Sequence, residues 1–176
     1  MSEHKPSHPG HHHRVGAAAV VPTAVITVSD TRTSETDSGG DRVAELLEAA
    51  GHPVVSRQIV PDDPQRIAGA LRAHLESEVA RAVILTGGTG VAPRDVTPEA
   101  VEPLLERVVP GFGELYRALS YQDIGSAALL SRALAGLAGG RVVFVLPGSR
   151  GAVTLGMEKL ILPEIGHLAA EAVKSR

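Results

Sequence analysis

The sequence predicts an α/β fold with three layers, in which a mostly parallel sheet carries helices on both faces. Short β-branched apolar runs alternate along the chain with segments of helical periodicity, which is the pattern of βαβ units. Polar or glycine-rich stretches follow several of the apolar runs directly. The length of 176 residues suits one domain, and with only 2% aromatic residues its core must be built from Val, Leu, Ile and Ala.

Composition excludes several classes of function. Cysteine is absent, so the chain has no disulfide framework and no thiolate metal site, which fits a reducing compartment. A formal net charge of −3 gives no basic footprint for nucleic acid. No signal peptide pattern opens the chain and no apolar stretch is long enough to cross a membrane. We therefore expect a cytoplasmic protein without a nucleic-acid or membrane partner.

Residues 1–16 differ in composition from the rest of the chain. They contain five of the eight histidines together with Pro and Gly, and almost no apolar side chains. This composition predicts a disordered tail followed by one domain over residues 17–176. Transition-metal binding by His11, His12 and His13 is the alternative reading of the tail.

The first half of the chain alternates between predicted strands and helices. The strands are Ala24–Val28, about Val54–Val60 and Ala82–Leu85. Asp37 or Ser38 can cap the first helix, whose apolar positions have helical spacing and which Gly51 ends: Val43, Leu46, Leu47 and Ala50. Asp63 and Pro64 form the start of the second helix, which carries three spaced apolar residues: Ile67, Leu71 and Leu75.

The second half continues the pattern with fewer signals. A helical stretch through Leu115 and Leu119 follows the sequence Pro110-Gly-Phe-Gly-Glu114. The run Arg141–Leu146 predicts a further strand, and a helix is expected from about Ala152. Between them, Pro147-Gly-Ser149 places a hydroxyl and free N–H groups at a helix start, where they can bind an anion or form an ordinary N-cap.

The most unusual stretch follows the third predicted strand. Thr86-Gly-Gly-Thr-Gly90, here called the glycine loop, concentrates three glycines in five residues. It has no lysine of a P-loop, and Pro93 stands where a dinucleotide fingerprint needs its last glycine. Its N–H groups and hydroxyls can still surround phosphate oxygens as an anion nest. A tight strand-to-helix connection without a ligand is the alternative.

Charged residues near the predicted strand ends could offset phosphate charge. In parallel sheets, ligands bind beyond the carboxyl ends of the strands. Asp62 and Asp95 can supply carboxylates to Mg²⁺, which commonly takes one or two of them together with substrate phosphates, and Arg94 adds a positive charge. The alternatives are a capping pair for Asp62 and Asp63, a helix-entry turn for Asp95 and a solvated surface charge for Arg94.

Six motifs, in order from about Pro22 to the C-terminus, resemble the molybdenum cofactor biosynthesis protein B family, which is similar to the molybdopterin adenylyltransferases and the gephyrin G-domain. The six motifs are Ser29-Asp-Thr31, the glycine loop, Arg94-Asp-Val-Thr-Pro-Glu99, Pro110-Gly-Phe-Gly-Glu114, Ser131-Arg132 and Leu146-Pro-Gly-Ser149. Only the His-rich tail lies outside the resemblance.

The resemblance implies an α/β protein that assembles into trimers or hexamers. It implies Mg²⁺-dependent transfer of AMP from ATP to molybdopterin, with Asp62 and Asp95 as the catalytic and metal-binding residues. The residues implied to bind the substrates are Ser29, Asp30, Thr86, Gly87, Gly88, Thr89, Gly90, Arg94, Gly111, Glu114 and Ser149. A non-catalytic molybdopterin-binding or assembly protein of the same pathway is the second hypothesis, and a nucleotide-binding domain acting on another phosphorylated acceptor is the third.

Overall fold

The computed structural model describes residues 19–174, so the prediction of a disordered tail over residues 1–16 lies outside the described residues. The described chain forms one six-stranded sheet with helices packed on it. The strands are β1 (Thr23–Val28), β2 (Val54–Val60), β3 (Ala82–Thr86), β4 (Arg107–Val108), β5 (Leu134–Ala138) and β6 (Arg141–Leu146). The α-helices are α1 (Ser38–Ala49), α2 (Pro64–Glu76), α3 (Thr97–Val101), α4 (Pro110–Ile124), α5 (Arg150–Gly156) and α6 (Leu162–Glu171).

Shorter helical segments join some of these elements. Two 3₁₀ segments, Glu102–Leu104 and Gly125–Leu130, follow α3 and α4. A π-helical turn, Met157–Ile161, connects α5 to α6. Pro163 lies just after that turn and has no N–H to continue regular α-helical bonding, which explains the local change in helix type.

The strands are arranged in the order β2-β1-β3-β6-β5-β4. β1 pairs in parallel with β2 and β3, and β3 pairs in parallel with β6. β5 and β4 complete the sheet in antiparallel orientation. The prediction of a mostly parallel sheet is therefore confirmed. The chain crosses from one side of β1 to the other between β2 and β3, which creates a topological switch point between β1 and β3.

Each face of the sheet has its own hydrophobic core, which confirms the three layers. On one face, alternate residues of β1, β3 and β6 pack against α1, α4 and the continuous helical segment formed by α5, the π-helical turn and α6. On the other face, the remaining alternate residues pack against α2 and α3. Because β1, β3 and β6 are buried on both faces, their sequences are almost continuously apolar.

The predicted helix starts are confirmed in detail. Asp37 caps α1 by accepting from the N–H of Gly40 at 2.9 Å, and Asp63 caps α2 by accepting from the N–H of Arg66 at 2.8 Å. α5 begins at Arg150, two residues before the expected start, because Ser149 acts as its N-cap. Among residues 19–174 no helix combines the length and apolar character needed to cross a membrane.

Candidate functional site

The carboxyl ends of the parallel strands bring the predicted polar stretches together. Ser29 follows β1, Pro61–Asp63 follows β2, the glycine loop begins at the end of β3, and Pro147–Ser149 follows β6. Two contacts join these loops directly. The Asp30 carboxylate accepts the N–H of Asp62 at 3.0 Å, and the Thr86 hydroxyl donates to the carbonyl of Pro147 at 3.0 Å. The site therefore lies at the switch point of the sheet.

Two positions of the glycine loop require glycine. Gly87 has φ = 104° and Gly88 has φ = 62°, which is backbone that other residues rarely adopt. A Cβ at Gly87 would lie 2.2 Å from the carbonyl oxygen of Val28. A Cβ at Gly88 would lie 2.4 Å from the Thr97 hydroxyl oxygen and 2.9 Å from an Asp62 carboxylate oxygen. The loop thus packs its backbone against β1 and against two polar side chains.

Thr97, the first residue of α3, holds the first half of the glycine loop. Its hydroxyl donates to the carbonyl of Gly87 at 2.9 Å, and its backbone N–H donates to the carbonyl of Gly88 at 3.0 Å. The Thr97 side chain is fully buried, so water does not compete for these bonds. Both carbonyls are consequently fixed in direction.

Arg132, which lies just before β5, holds the second half of the loop. Its Nε donates to the carbonyl of Gly90 at 2.9 Å and to that of Thr89 at 3.3 Å, and its backbone N–H also donates to Thr89 at 3.3 Å. One terminal nitrogen donates to the carbonyl of Asp95, and the other to the Glu99 carboxylate. Four successive carbonyls of the loop therefore have fixed protein donors.

The N–H groups of the same segment are left without partners. Within the part of the chain that the structure describes, the backbone N–H groups of residues 88–91 donate to no protein group, whereas the N–H groups of Gly87 and Ala92 on either side are bonded. Thr89 is buried, Gly88 and Gly90 are half-buried and Val91 is exposed, so a bound ligand can reach this segment. Successive backbone N–H groups of this kind form anion-binding concavities in other proteins. Four adjacent amides can thus bind an anion.

Asp62 stands beside this loop without a capping role. The predicted alternative of a capping pair fails for Asp62, because its neighbour Asp63 alone caps α2. Partial burial, followed by repulsion from Asp30 and from Asp95, raises the pKa of the Asp62 carboxyl, although a backbone hydrogen bond and Arg94 oppose the shift. A carboxylate held against like charges gains stability from a bound cation.

Asp95 flanks the loop at its other end, and it also stabilises a turn. A Cβ at Gly90 would lie 2.6 Å from an Asp95 carboxylate oxygen, and the same oxygen accepts the N–H of Ala92 at 3.0 Å. The predicted turn role of Asp95 is therefore part of the structure. Its other oxygen accepts no hydrogen bond within residues 19–174.

The structure places no complete metal cage at this edge. Within residues 19–174, no three or more His, Asp or Glu side chains form a group that could hold a metal ion. Two carboxylates beside the glycine loop nevertheless suit Mg²⁺, which keeps waters and commonly takes one or two carboxylates as ligands. The donor set of Asp62 and Asp95 fits that ion.

Of the other predicted binding residues, Ser29 and Ser149 stabilise their own loops, whereas the Arg94 side chain is exposed. The Ser29 hydroxyl accepts from the N–H groups of Thr31 and Arg32, both at 3.2 Å, so it shapes its own loop. Ser149 is the N-cap of α5, which is the ordinary role considered for it. Arg94 is exposed and close enough to Asp62 to influence its pKa.

A cleft of about 500 Å³, here called the side cleft, adjoins the glycine loop. It lies between α3, the start of α4 and the segment before β5, and Glu99 and Arg132 form its boundary with the loop. Glu114 lines the side cleft, whereas Gly111 lies in the first turn of α4 with open space around it. Ser131 also lines it, and its buried hydroxyl has no hydrogen-bond partner within residues 19–174.

Sequence reasoning assigned no role to Thr97 or Arg132, although both lie in motifs that carry the resemblance. The pattern around Arg132 contains no strand or helix signal, and its contacts with the glycine loop span about forty residues, as between Gly90 and Arg132. The motif Ser131-Arg132 was the available signal, but only the fold shows which backbone it contacts.

The fold and the site define a three-layer α/β protein whose polar loops converge at the switch point of a parallel sheet. Residues 24–167 match the family described as "Probable molybdopterin binding domain". The chain belongs to this family, which agrees with the resemblance drawn from the motifs.

Individual relatives are similar over almost their whole length. Molybdenum cofactor biosynthesis protein B of Bacillus cereus is 51% identical over 160 residues, which cover 90% of this chain and 95% of the relative. The protein of the same name from Bacillus subtilis is 48% identical over 165 residues, covering 93% and 97%.

Solved structures show the same fold. A crystal structure of a molybdenum cofactor biosynthesis protein B matches with a TM-score of 0.86 and 51% identity, covering 89% of this chain and 98% of that chain. The tungsten cofactor synthesizing protein MoaB of Pyrococcus furiosus matches with a TM-score of 0.78 and 39% identity, covering 87% and 97%.

Proposed function

We propose that this protein acts in molybdenum cofactor biosynthesis, where it binds molybdopterin and transfers AMP to it from ATP in a Mg²⁺-dependent reaction. The family match and the names of the relatives support the pathway. The observation that carries the reaction is the glycine loop itself. Within residues 19–174, the four N–H groups of residues 88–91 have no protein acceptor, and the carboxylates of Asp62 and Asp95 flank them.

The proposed chemistry needs binding and charge neutralisation more than proton transfer. The terminal phosphate of molybdopterin attacks the α-phosphorus of ATP, a new P–O bond forms, and pyrophosphate leaves. Because the attacking phosphate is already ionised at neutral pH, no general base is required. Mg²⁺ supplies positive charge for the phosphates when it is bound.

The residues of this chain have distinct roles in that reaction. The N–H groups of residues 88–91 bind phosphate oxygens, Arg94 adds positive charge at the exposed end of the loop, and Asp62 and Asp95 hold the metal ion. The side cleft offers polar groups to the part of the ligand beyond its phosphate, namely Glu114 and the Ser131 hydroxyl, which has no hydrogen-bond partner in the described part of the chain.

Incubation of the protein with ATP, MgCl₂ and molybdopterin tests the proposal, with mass spectrometry of the products. We expect an AMP adduct of molybdopterin, release of pyrophosphate, and neither product when EDTA replaces MgCl₂. Molybdopterin binding without adduct formation would reject the transferase and leave a non-catalytic binding protein. Modification of another phosphorylated acceptor in preference to molybdopterin would favour the third hypothesis.

We also propose that the protein is a homo-oligomer of three or six protomers, as the resemblance implies. The end of α4 and the following 3₁₀ segment expose large apolar side chains whose burial would favour association, namely Tyr121 (63%), Ile124 (59%), Leu129 (80%) and Leu130 (55%). Light scattering should give a mass of three or six chains at micromolar concentration. A stable monomer would contradict the proposal.

A further inference from the structure

We infer that Arg132 is a positioning residue that sets the direction in which the N–H groups of Gly90 and Val91 point. The inference rests on the proposed function only in naming phosphate as the group those amides bind. The guanidinium lies between the glycine loop and the side cleft, and its side chain is 31% exposed.

The planarity of the peptide bond connects the carbonyl contacts to the amides. In a trans peptide, the carbonyl of one residue and the N–H of the next point in opposite directions from a rigid plane. Arg132 holds the carbonyls of Thr89 and Gly90, so it fixes the N–H groups of Gly90 and Val91. These two amides belong to the group of four that have no protein acceptor within residues 19–174.

Thr97 does the same for the first half of the loop and provides an internal reference. It holds the carbonyls of Gly87 and Gly88, and therefore fixes the N–H groups of Gly88 and Thr89. Loss of the Arg132 side chain should disorder Val91 most, since the backbone N–H of Arg132 still holds the Thr89 carbonyl that precedes Gly90, and it should leave the first pair fixed. A general loss of stability would not produce this difference between neighbouring residues.

Arg132 acts through the backbone because its own donor nitrogens already contact protein groups. Nε contacts the loop carbonyls, one terminal nitrogen contacts the carbonyl of Asp95, and the other contacts Glu99. The Glu99 carboxylate also offsets the positive charge. Lysine has one nitrogen and cannot reproduce a planar fork over several carbonyls, so it should restore only part of the effect.

The chain offers a matched control for substitutions of Arg132. The two terminal nitrogens of Arg141 donate to the backbone carbonyls of Gly139 and Ser77 at the opposite edge of the sheet. Arg132→Gln and Arg141→Gln therefore each remove a guanidinium that holds backbone carbonyls. Only Arg132→Gln removes a guanidinium that contacts the glycine loop.

The experiment measures ¹⁵N relaxation of the deuterated full chain, pyrophosphate affinity, melting temperature and AMP transfer for both Gln variants and for Arg132→Lys. For Arg132→Gln we expect the backbone order parameter of Val91 to fall from about 0.85 to below about 0.6. Gly90 should fall less, because the backbone N–H of Arg132 still donates to the Thr89 carbonyl, and Gly88 and Thr89 should stay unchanged. Pyrophosphate affinity should fall, and kcat should fall by roughly 100-fold, more than KM rises, because misplacement affects the reacting phosphate.

Arg132→Lys should recover part of the order and of kcat, and Arg141→Gln should lower the melting temperature without disordering the loop. Unchanged order at Val91 in Arg132→Gln would overturn the inference. An equal fall in kcat for Arg141→Gln at an equal loss of melting temperature would also overturn it. If the unmodified protein transfers no AMP, the proposed reaction fails, while disorder at Gly90 and Val91 with weaker pyrophosphate binding would still support the role of Arg132.

Discussion

The amino and carboxyl ends of the strands each have a pair of glycines with positive φ and an arginine that donates to backbone carbonyls, but the resulting structures differ. At the amino edge of β6, Gly139 and Gly140 have positive φ and form the two-residue turn of the β5–β6 hairpin, with the Arg141 guanidinium on nearby carbonyls. At the carboxyl edge, Gly87 and Gly88 have positive φ and the Arg132 guanidinium holds carbonyls, but no hairpin forms. The amino edge uses these devices to form a hairpin turn. At the carboxyl edge, the N–H groups of residues 88–91 donate to no other group of the described chain and can bind an acceptor.

The comparison shows that the carboxyl edge of the sheet contains features that do not stabilise the folded protein. Within residues 19–174, the N–H groups of residues 88–91 at the carboxyl edge donate to no protein group, although Thr89 is buried. Partial burial, and then repulsion by the carboxylates of Asp30 and Asp95, raise the pKa of Asp62 there. Neither feature strengthens the isolated protein, and both suit an anionic ligand bound together with a cation.

The largest expected effect comes from the carboxylates. Asp62→Asn and Asp95→Asn keep the side-chain shape but remove a charge from the proposed Mg²⁺ site, so AMP transfer should fall by at least about 100-fold while molybdopterin still binds. Single-turnover assays with mass spectrometry measure this. Asp63→Asn is the control, since asparagine also caps helices well and Asp63 points to α2. Transfer at the unmodified rate in both Asn variants would remove the metal-assisted mechanism.

A smaller effect on ligand binding is expected from substitution of glycine. Two glycines with positive φ, one crowded and one not, distinguish backbone strain from steric crowding. Gly88→Ala and Gly51→Ala both place a Cβ on backbone with positive φ, at a cost of about 1–2 kcal/mol each. Only Gly88 is crowded, because nothing lies within 4 Å of a Cβ at Gly51. Calorimetric titration should show pyrophosphate affinity reduced about tenfold or more in Gly88→Ala and unchanged in Gly51→Ala. Equal affinities would show that the amides at Gly88 do not bind phosphate.

The burial of the Asp62 carboxyl and its repulsion by Asp30 and Asp95 predict that neutralising this side chain stabilises the protein, with a defined pH dependence. A raised pKa means that folding favours the protonated Asp62, so its favourable contribution exists at low pH and is lost as pH rises through the folded-state pKa. Without Mg²⁺, Asp62→Asn should melt at a higher temperature than the unmodified protein at pH 7. The difference should shrink as the pH falls towards 4. A lower melting temperature for the variant at pH 7 would contradict the proposed repulsion.

The smallest effect is expected at the N-terminus, in residues 1–16, which precede β1. Deletion of residues 1–16 removes five histidines and almost no apolar side chains, so melting temperature and ATP affinity should stay nearly unchanged. Thermal melts and ATP titrations of the full and shortened chains measure this. A large loss of either quantity would show that the tail packs on the domain.

The parallel half of the sheet could be predicted because each of its elements has a local signal. β2 and β6 match their expected bounds, and Asp37 and Asp63 cap the helices that they were expected to cap. The antiparallel strands β4 and β5 were not predicted. β4 has two residues, and β5 contains only Leu, Ala and Gly, so tertiary pairing with β6 rather than β-propensity makes it a strand.

The candidate site could be predicted less completely than the sheet. Asp62 and Asp95 lie beside the glycine loop as expected, because the carboxyl ends of parallel strands meet at one edge. Asp62 and Asp63 are adjacent and identical, so the sequence does not show which of them caps α2. The structure assigns the cap to Asp63. The contact between Arg132 and the glycine loop depends on the unpredicted β5, so no local pattern could reveal it.

The neighbouring positions of β3 and β6 in the sheet impose an order of events during synthesis. The N–H of Gly87 donates to the carbonyl of Leu146 at 3.0 Å, and the Thr86 hydroxyl donates to Pro147. The ribosome must therefore add some sixty further residues before the glycine loop has its native supports. A chain that ends before Leu146 lacks those two contacts, so its glycine loop has lost part of its native support.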